Sequence, residues 1–225
     1  MGDQHAELDW RDQAIPVSTR FDDPYFSLEN GLAETRHVFL AGNDLPSRFA
    51  PGFHIAELGF GTGLNLLTAW MAWEQAGHAG PLTFTSFEAF PMTADEMARA
   101  LAAFPEMGSY ANRLVTAWAE DKTLSTLGGI HARVILGDAR ETLAAESFAA
   151  DAWFLDGFSP AKNPELWDAN LMAQVGAHTT SSGTAATYTA AGFVRRNLAN
   201  AGFSVTRVPG FGRKRHMTTC VKAPA

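Results

Sequence analysis

The sequence predicts an α/β domain built on a mostly parallel sheet with helices on both faces. Three observations carry this. Short apolar runs rich in β-branched and aromatic residues alternate with helical patterns from residue 53 to residue 208. The first of these runs enters its helix through three closely spaced glycines, Gly59, Gly61 and Gly63. Later runs deliver carboxylates at or just past their carboxyl ends: Glu88, Asp138 and Asp156. Ligands of open parallel sheets bind in the crevice beyond those ends.

Size and composition set the frame. At 225 residues, with no Pro/Gly/Ser-rich linker, the chain is expected to form one domain over 1–225, with 1–50 as a lead-in packed on it. A composition of 46% hydrophobic and 18% charged residues excludes a disordered chain. The first ten residues lack the basic and apolar regions of a secretory signal, and no apolar run approaches a membrane span. The lone Cys220 excludes an intrachain disulfide, so a cytoplasmic location without membrane contact is the default expectation. The net charge of −7 is unevenly spread: residues 169–225 hold seven Lys/Arg and no acid, leaving 10 basic against 24 acidic residues before them. Such segregation can make a phosphate-binding face on an acidic protein, with ordinary solvated arginines as the alternative. For Arg213-Lys214-Arg215 beside His216, phosphate binding is the favoured reading.

In the lead-in, Asp23-Pro24 and Asn30-Gly31 are turn signals that bracket a small hairpin or a strand-helix unit. Tyr25, Phe26 and Phe39 read as packing, although a tyrosine beside turns can also cover a cofactor. The first strand is predicted over Phe53–Leu58, the loop over Gly59–Gly63, and the helix over Leu64–Trp73 with Leu64, Leu67, Trp70 and Met71 along its buried side. Glycines let backbone N–H groups approach a ligand, and a helix N-terminus favours negative charge. The spacing Gly-x-Gly-x-Gly departs from the dinucleotide fingerprint G-x-G-x-x-G, and Glu57 stands two residues before it. A carboxylate there suits S-adenosylmethionine, with its sulfonium and ammonium, better than a pyrophosphate. A structural glycine turn is the alternative.

The second strand, Leu82–Phe87, ends at Glu88, placed to accept from ribose hydroxyls or simply to be solvated. Thr93 and Glu96 form a capping-box pattern for a helix reaching Phe104. The strand Arg133–Leu136 leads to Asp138, which can accept from an adenine amine or cap the helix predicted over Glu141–Glu146. The strand Asp151–Leu155 delivers Asp156, after which Gly157 permits a close turn and Phe158 offers a flat face for a base or sulfonium. Pro160 and Pro164 stiffen this loop, and Lys162 and Asn163 add polar contacts before a helix predicted over Glu165–His178. A strand over Thr184–Thr189, a helix over Gly192–Ala201 bearing Arg195 and Arg196, a strand over Ser204–Val208, a basic loop and a closing strand complete the chain.

Taken together, Glu57-Leu58-Gly59-Phe60-Gly61-Thr62-Gly63-Leu64-Asn65, Phe87-Glu88-Ala89-Phe90-Pro91, the run Asp151–Pro164, Gly192-Phe193-Val194-Arg195-Arg196 and Gly210–Arg215 resemble the methyltransferase domain of the MnmC family of bifunctional tRNA wobble-uridine modification enzymes. The lead-in Phe21–Ser27 resembles it too, so the likeness covers nearly the whole chain. The resemblance implies a class I, Rossmann-like methyltransferase. It would use S-adenosylmethionine to methylate 5-aminomethyl-(2-thio)uridine at tRNA position 34, giving the 5-methylaminomethyl product. Family members continue into an FAD-dependent oxidoreductase domain. This sequence ends at Ala225 without a second glycine fingerprint, so the expectation is no FAD, no metal and no demodification step, as in stand-alone versions, with a separate oxidoreductase acting earlier in the pathway.

On this reading Gly59, Gly61 and Gly63 meet the methionine end of the cofactor, Glu57 belongs to its ammonium environment, Glu88 meets the ribose and Asp138 the adenine. Asn65 and Ala139 join that set, and Tyr25 and Asn30 close the pocket. Asp156 is the expected catalytic residue, as a base or by orienting the amine, because an alkylammonium with a pKa of about 10.4 must lose a proton before it attacks. A loop-ordering aspartate is its alternative role. Phe158, Lys162, Arg195, Arg196, Arg213, Lys214 and Arg215 are expected to hold the uridine and the tRNA backbone. Another amine acceptor, an NAD-dependent oxidoreductase and a non-enzymatic tRNA-binding module remain as competing readings.

Overall fold

The computed structural model describes residues 4–12, 14–27 and 30–223. The lead-in forms a three-stranded antiparallel sheet, β1 (Leu8–Arg11), β2 (Ile15–Ser18) and β3 (Asp23–Pro24), rather than a single hairpin. A short helix follows, α1 (Gly31–Thr35), which runs into a π-helical turn over Arg36–Leu40 and a 3-10 turn over Ala41–Asn43.

The main sheet has eight strands. β4 (His54–Leu58) is central, with β5 (Leu82–Glu88), β7 (Ile130–Leu136) and the two-residue edge strand β6 (Thr126–Leu127) on one side. On its other side lie β8 (Ala150–Leu155), β9 (Thr179–Thr187), β11 (His216–Lys222) and β10 (Phe203–Pro209), in that order. The five strands from β7 to β9 are parallel, whereas β11 runs antiparallel between β9 and β10. The order reverses at β4, between β5 and β8, which makes the carboxyl ends of β4 and β8 the topological switch point.

Helices cover both faces, and neighbouring strand residues point to opposite cores. Phe84 and Phe154 face a core with Trp70, Trp73 and Trp118, supplied by α2 (Leu64–Ala76) and α4 (Gly108–Glu120). Trp153 and Phe87 face the other, with Trp167, Leu171 and Leu198, supplied in part by α6 (Ala169–Ala177) and α7 (Gly192–Asn200). The predicted stripe on α2 is too narrow. This helix is buried nearly all round, and Met71 is among the less buried of its residues, because α1, the π-helical turn and α4 also contact it.

Several boundaries differ from the sequence reading. The Thr93 capping box exists and opens α3 (Ala94–Leu101). The helix expected from Glu165 is a 3-10 turn over Pro164–Trp167, followed by α6, whose N-cap Asp168 accepts from the Leu171 amide at 2.7 Å. Pro164 and the new cap split what periodicity had joined. The helix after Asp138 is shorter and earlier, α5 (Ala139–Thr142) with a 3-10 turn over Leu143–Ala145. β9 begins at Thr179 and stops at Thr187, two residues before the predicted end. α4 and β6 were not predicted. Among the described residues no helix is long and apolar enough to cross a membrane.

Candidate active site

A cavity of about 1200 Å³ opens at the carboxyl ends of β4, β5, β7 and β8, roofed by the lead-in. Gly59 and Gly61 form part of its wall with Glu88, Asp138, Ala139 and Asp156. The loop is tight for internal reasons. A Cβ on Gly59, where φ is +85°, would stand 2.6 Å from the Asp156 carbonyl oxygen, so only glycine lets the two strand ends approach. Gly63 does not line the cavity; it packs under Leu114 and Phe60 as α2 begins.

Beneath the loop is a chain of hydrogen bonds between two carboxylates. Asn65 Nδ2 donates to Glu57 Oε1 and to Asp156 Oδ2, both at 2.8 Å, and Ser86 Oγ donates to Glu57 Oε2 at 2.6 Å. Glu57 is fully buried and is not part of the cavity wall. It reaches the site through Asn65. Burial pushes the Glu57 carboxyl well above the usual carboxylate range. Asp156 does line the cavity, and its Oδ1 accepts from the Gly157 amide at 2.9 Å. Burial raises its pKa to about 6, against the hydrogen bonds from Asn65 and Gly157.

Glu88 accepts from the Gly61 amide at 2.8 Å and the Phe90 amide at 2.7 Å, which ties the end of β5 to the glycine loop. It lines the cavity, and burial raises its pKa against hydrogen bonds from the backbone amides of Gly61, Phe90, Ala89 and Phe60. Asp138 caps α5 by accepting from the Arg140 amide at 2.9 Å and is ion-paired with the Arg140 side chain, which holds its pKa down. Asp138 thus takes the capping role, and it also lines the cavity.

The roof is aromatic. Phe158 stacks on Phe21 at 4.7 Å and meets Tyr25 edge-on at 5.0 Å, and Tyr25 lies against Gly61. Phe21 therefore already covers the Phe158 ring. Ser159 donates to Asp23 at 2.7 Å, and Lys162 reaches the Asp22 backbone carbonyl and pairs with the Asp22 carboxylate at 3.1 Å. Lys162 fastens the loop after β8 to the lead-in. Asn30 is exposed and caps α1 by accepting from Ala33 at 2.9 Å; it does not line the cavity.

The basic residues separate into two groups. Lys214 enters the cavity, pairs with Glu34 at 2.8 Å and stands 4.2 Å from the centre of the Tyr188 ring. Arg195, Arg196, Arg213 and Arg215 stay off the cavity wall; desolvation lowers the His216 pKa, helped by the charges of Arg207, Arg215 and Arg195. Glu34 and Tyr188 were missed as site residues. Tyr188 follows the carboxyl end of a parallel strand and could have been found by that rule. Glu34 has no comparable signal.

The donor set suits a cationic cofactor with an aromatic base. Among the described residues Glu88 and Asp156 face the cavity without a salt bridge, next to aromatic rings. Comparison with known proteins agrees. Residues 105–223 match the family described as S-adenosyl-L-methionine-dependent methyltransferase. The chain is 47% identical over 225 residues to the tRNA 5-methylaminomethyl-2-thiouridine biosynthesis bifunctional protein MnmC of Pseudomonas aeruginosa, covering 95% of this chain and 34% of that protein. It is 42% identical over 233 residues to the MnmC of Hahella chejuensis, covering 96% and 36%. The chain thus spans about a third of the length of these relatives. The crystal structure of MnmC2 from Aquifex aeolicus is similar at a TM-score of 0.76 and 26% identity, covering 100% of this chain and 73% of that one.

Proposed function

Because the chain belongs to the S-adenosyl-L-methionine-dependent methyltransferase family, we propose that it methylates the amine of 5-aminomethyl-(2-thio)uridine at tRNA wobble position 34, giving 5-methylaminomethyl-(2-thio)uridine. The observation that carries this reading is Asp156 on the cavity wall, held by Asn65 and Gly157 with a pKa near 6, in a chain similar to MnmC proteins. The bound cofactor would supply an electrophilic methyl group on a sulfonium. Gly59, Gly61, Glu88, Asp138 and Ala139 would hold it, with Tyr25 and Phe158 above.

Asp156 attracts the cationic acceptor and takes a proton from its amine at a carboxylate oxygen, either directly or through water. Asn65 keeps that carboxylate oriented, since its amide is fixed at the other end by Glu57. The roof of Phe21, Tyr25 and Phe158 keeps water from the reacting atoms, so that positioning contributes to the rate. Arg195, Arg207 and Arg215, with Arg196 and Arg213, give tRNA phosphates a basic face. The aminomethyl group must be made before it is methylated; on this reading a separate oxidoreductase acting earlier in the pathway supplies it, and the cytoplasm is the location proposed for work on tRNA.

The test is transfer of labelled methyl from S-adenosylmethionine to tRNA from cells that accumulate 5-aminomethyluridine, followed by nucleoside analysis. A labelled 5-methylaminomethyl product is expected, and its absence with Asp156→Ala. No label despite measurable cofactor binding overturns the acceptor assigned here and leaves a methyltransferase of another amine.

A further inference from the structure

Lys214 belongs to a basic loop and is half-exposed, yet it lines the cavity and its ammonium is engaged there. It is held there by two groups of complementary kinds. The Glu34 carboxylate, with a side chain only 12% exposed, accepts from Nζ at 2.8 Å. The Tyr188 ring lies 4.2 Å away, and its hydroxyl is fixed by donating to the Gly157 carbonyl at 2.7 Å. A buried carboxylate beside an immobilised aromatic face is a recognition site for an alkylammonium. It adjoins the candidate proton acceptor, because Gly157 follows Asp156, and Asp156 is close enough to feel the charges of both Glu34 and Lys214.

We propose that Glu34 and Tyr188 form the seat of the substrate's alkylammonium group, and that Lys214 is an internal stand-in which vacates it when the acceptor enters. This rests on an amine being the methyl acceptor. The exchange conserves charge: one alkylammonium leaves Glu34 and another arrives, so the buried carboxylate is never left unpaired. Lys214 can leave because it sits in a loop bearing Gly210 and Gly212, and its own side chain is 46% exposed. Arg213 and Arg215 flank it, so tRNA phosphates that engage the loop would draw the lysine outward as the modified base comes in. Entry of the right polymer and release of the seat are then one event. Glu34 and Tyr188 are positioning residues on this account, and Asp156 keeps the proton-accepting role.

The seat can be tested without tRNA, with benzylammonium as probe and benzyl alcohol as its neutral counterpart, titrated by NMR into protein saturated with S-adenosylhomocysteine. Lys214→Met should bind benzylammonium about fivefold more tightly than wild type, the gain expected from removing a half-exposed ion pair backed by one cation–π contact. Adding Glu34→Gln to Lys214→Met should erase the gain, and benzyl alcohol should bind all three proteins equally. No gain in Lys214→Met overturns the proposal, as does an equal gain for benzyl alcohol, which would mean that only space was created. A gain seen without S-adenosylhomocysteine but lost in its presence also overturns it, because the seat would then take the ammonium of the cofactor. Failure of methyl transfer to tRNA alongside the expected gain would leave the seat standing and remove only the acceptor.

Discussion

The floor and the rim of the cavity are made differently. On the floor, carboxylates are satisfied by uncharged donors: Glu57 by Asn65 and Ser86, Asp156 by Asn65 and Gly157, Glu88 by the Gly61 and Phe90 amides. On the rim, charge meets charge: Lys162 with Asp22, Lys214 with Glu34, Arg140 with Asp138. The floor pairs are buried, so neutral donors fix their geometry while desolvation lifts their pKa values. The pairs of Arg140 with Asp138 and of Lys162 with Asp22 are partly exposed at both ends, and each is worth no more than about 1 kcal/mol, whereas that of Lys214 with Glu34 joins a half-exposed lysine to a largely buried carboxylate. A rigid floor suits a small cofactor and a proton transfer, whereas a rim of weak ion pairs can rearrange to admit a polymer.

The sharpest break in this contrast is expected from Asp156→Asn. Loss of a positioned proton acceptor lowers a rate by roughly 10²–10⁴-fold, and methyl transfer should fall by that much while S-adenosylhomocysteine titrated calorimetrically still binds. Retention of full turnover would reduce Asp156 to a loop-ordering residue.

The pH profile comes next in size. Asp156 acts as its carboxylate, so kcat/KM should rise about tenfold per pH unit below its pKa of about 6 and flatten above it. Stability moves the other way. The folded pKa lies above the ordinary 3.8, so this group's contribution is fully present below about pH 4 and is lost as pH rises through about 6. Urea titrations of wild type and Asp156→Asn should therefore diverge most above pH 6, with the asparagine protein the more stable. Convergence at high pH would show that the carboxyl is not raised.

Gly59→Ala strikes the floor through the backbone. Its φ of +85° and the Asp156 oxygen 2.6 Å from any Cβ predict a loss of about 1–3 kcal/mol, seen as a melting temperature lower by several degrees and weaker cofactor binding. The smallest effect belongs to the rim. Lys162→Ala should cost less than about 1 kcal/mol in urea unfolding and leave cofactor affinity unchanged, since its partner Asp22 is exposed. A larger loss would mean that the lead-in is clamped rather than latched.

The same division decides what could be read beforehand. The glycine loop and the strand-end acids Glu88 and Asp156 were legible because strand, turn and helix are local and the ligand crevice follows from sheet direction. α4 was legible in principle, since Ala111, Leu114 and Trp118 recur at helical spacing. The partners on the rim were not. Lys214 and Glu34 are 180 residues apart, and Lys162 and Asp22 are 140 apart, so no spacing rule joins them. Nothing in the run Arg213-Lys214-Arg215 marks Lys214 as the one that lines the cavity. That Glu57 is held by Asn65 and Ser86 was not legible either, because those partners lie on other elements.

The position of β11 has a bearing on biosynthesis. β10 is made before it but joins the sheet only through it, and β9 has no neighbour on that side until β11 arrives. A nascent chain that has emerged as far as β10 therefore carries one open edge and one strand with nowhere to dock, both exposed to wrong pairing. Lys214, at the turn leading into β11, reaches Glu34 only as that strand inserts. The site acquires its internal cation in the same late step that closes the sheet, so no earlier stage of synthesis presents a finished pocket.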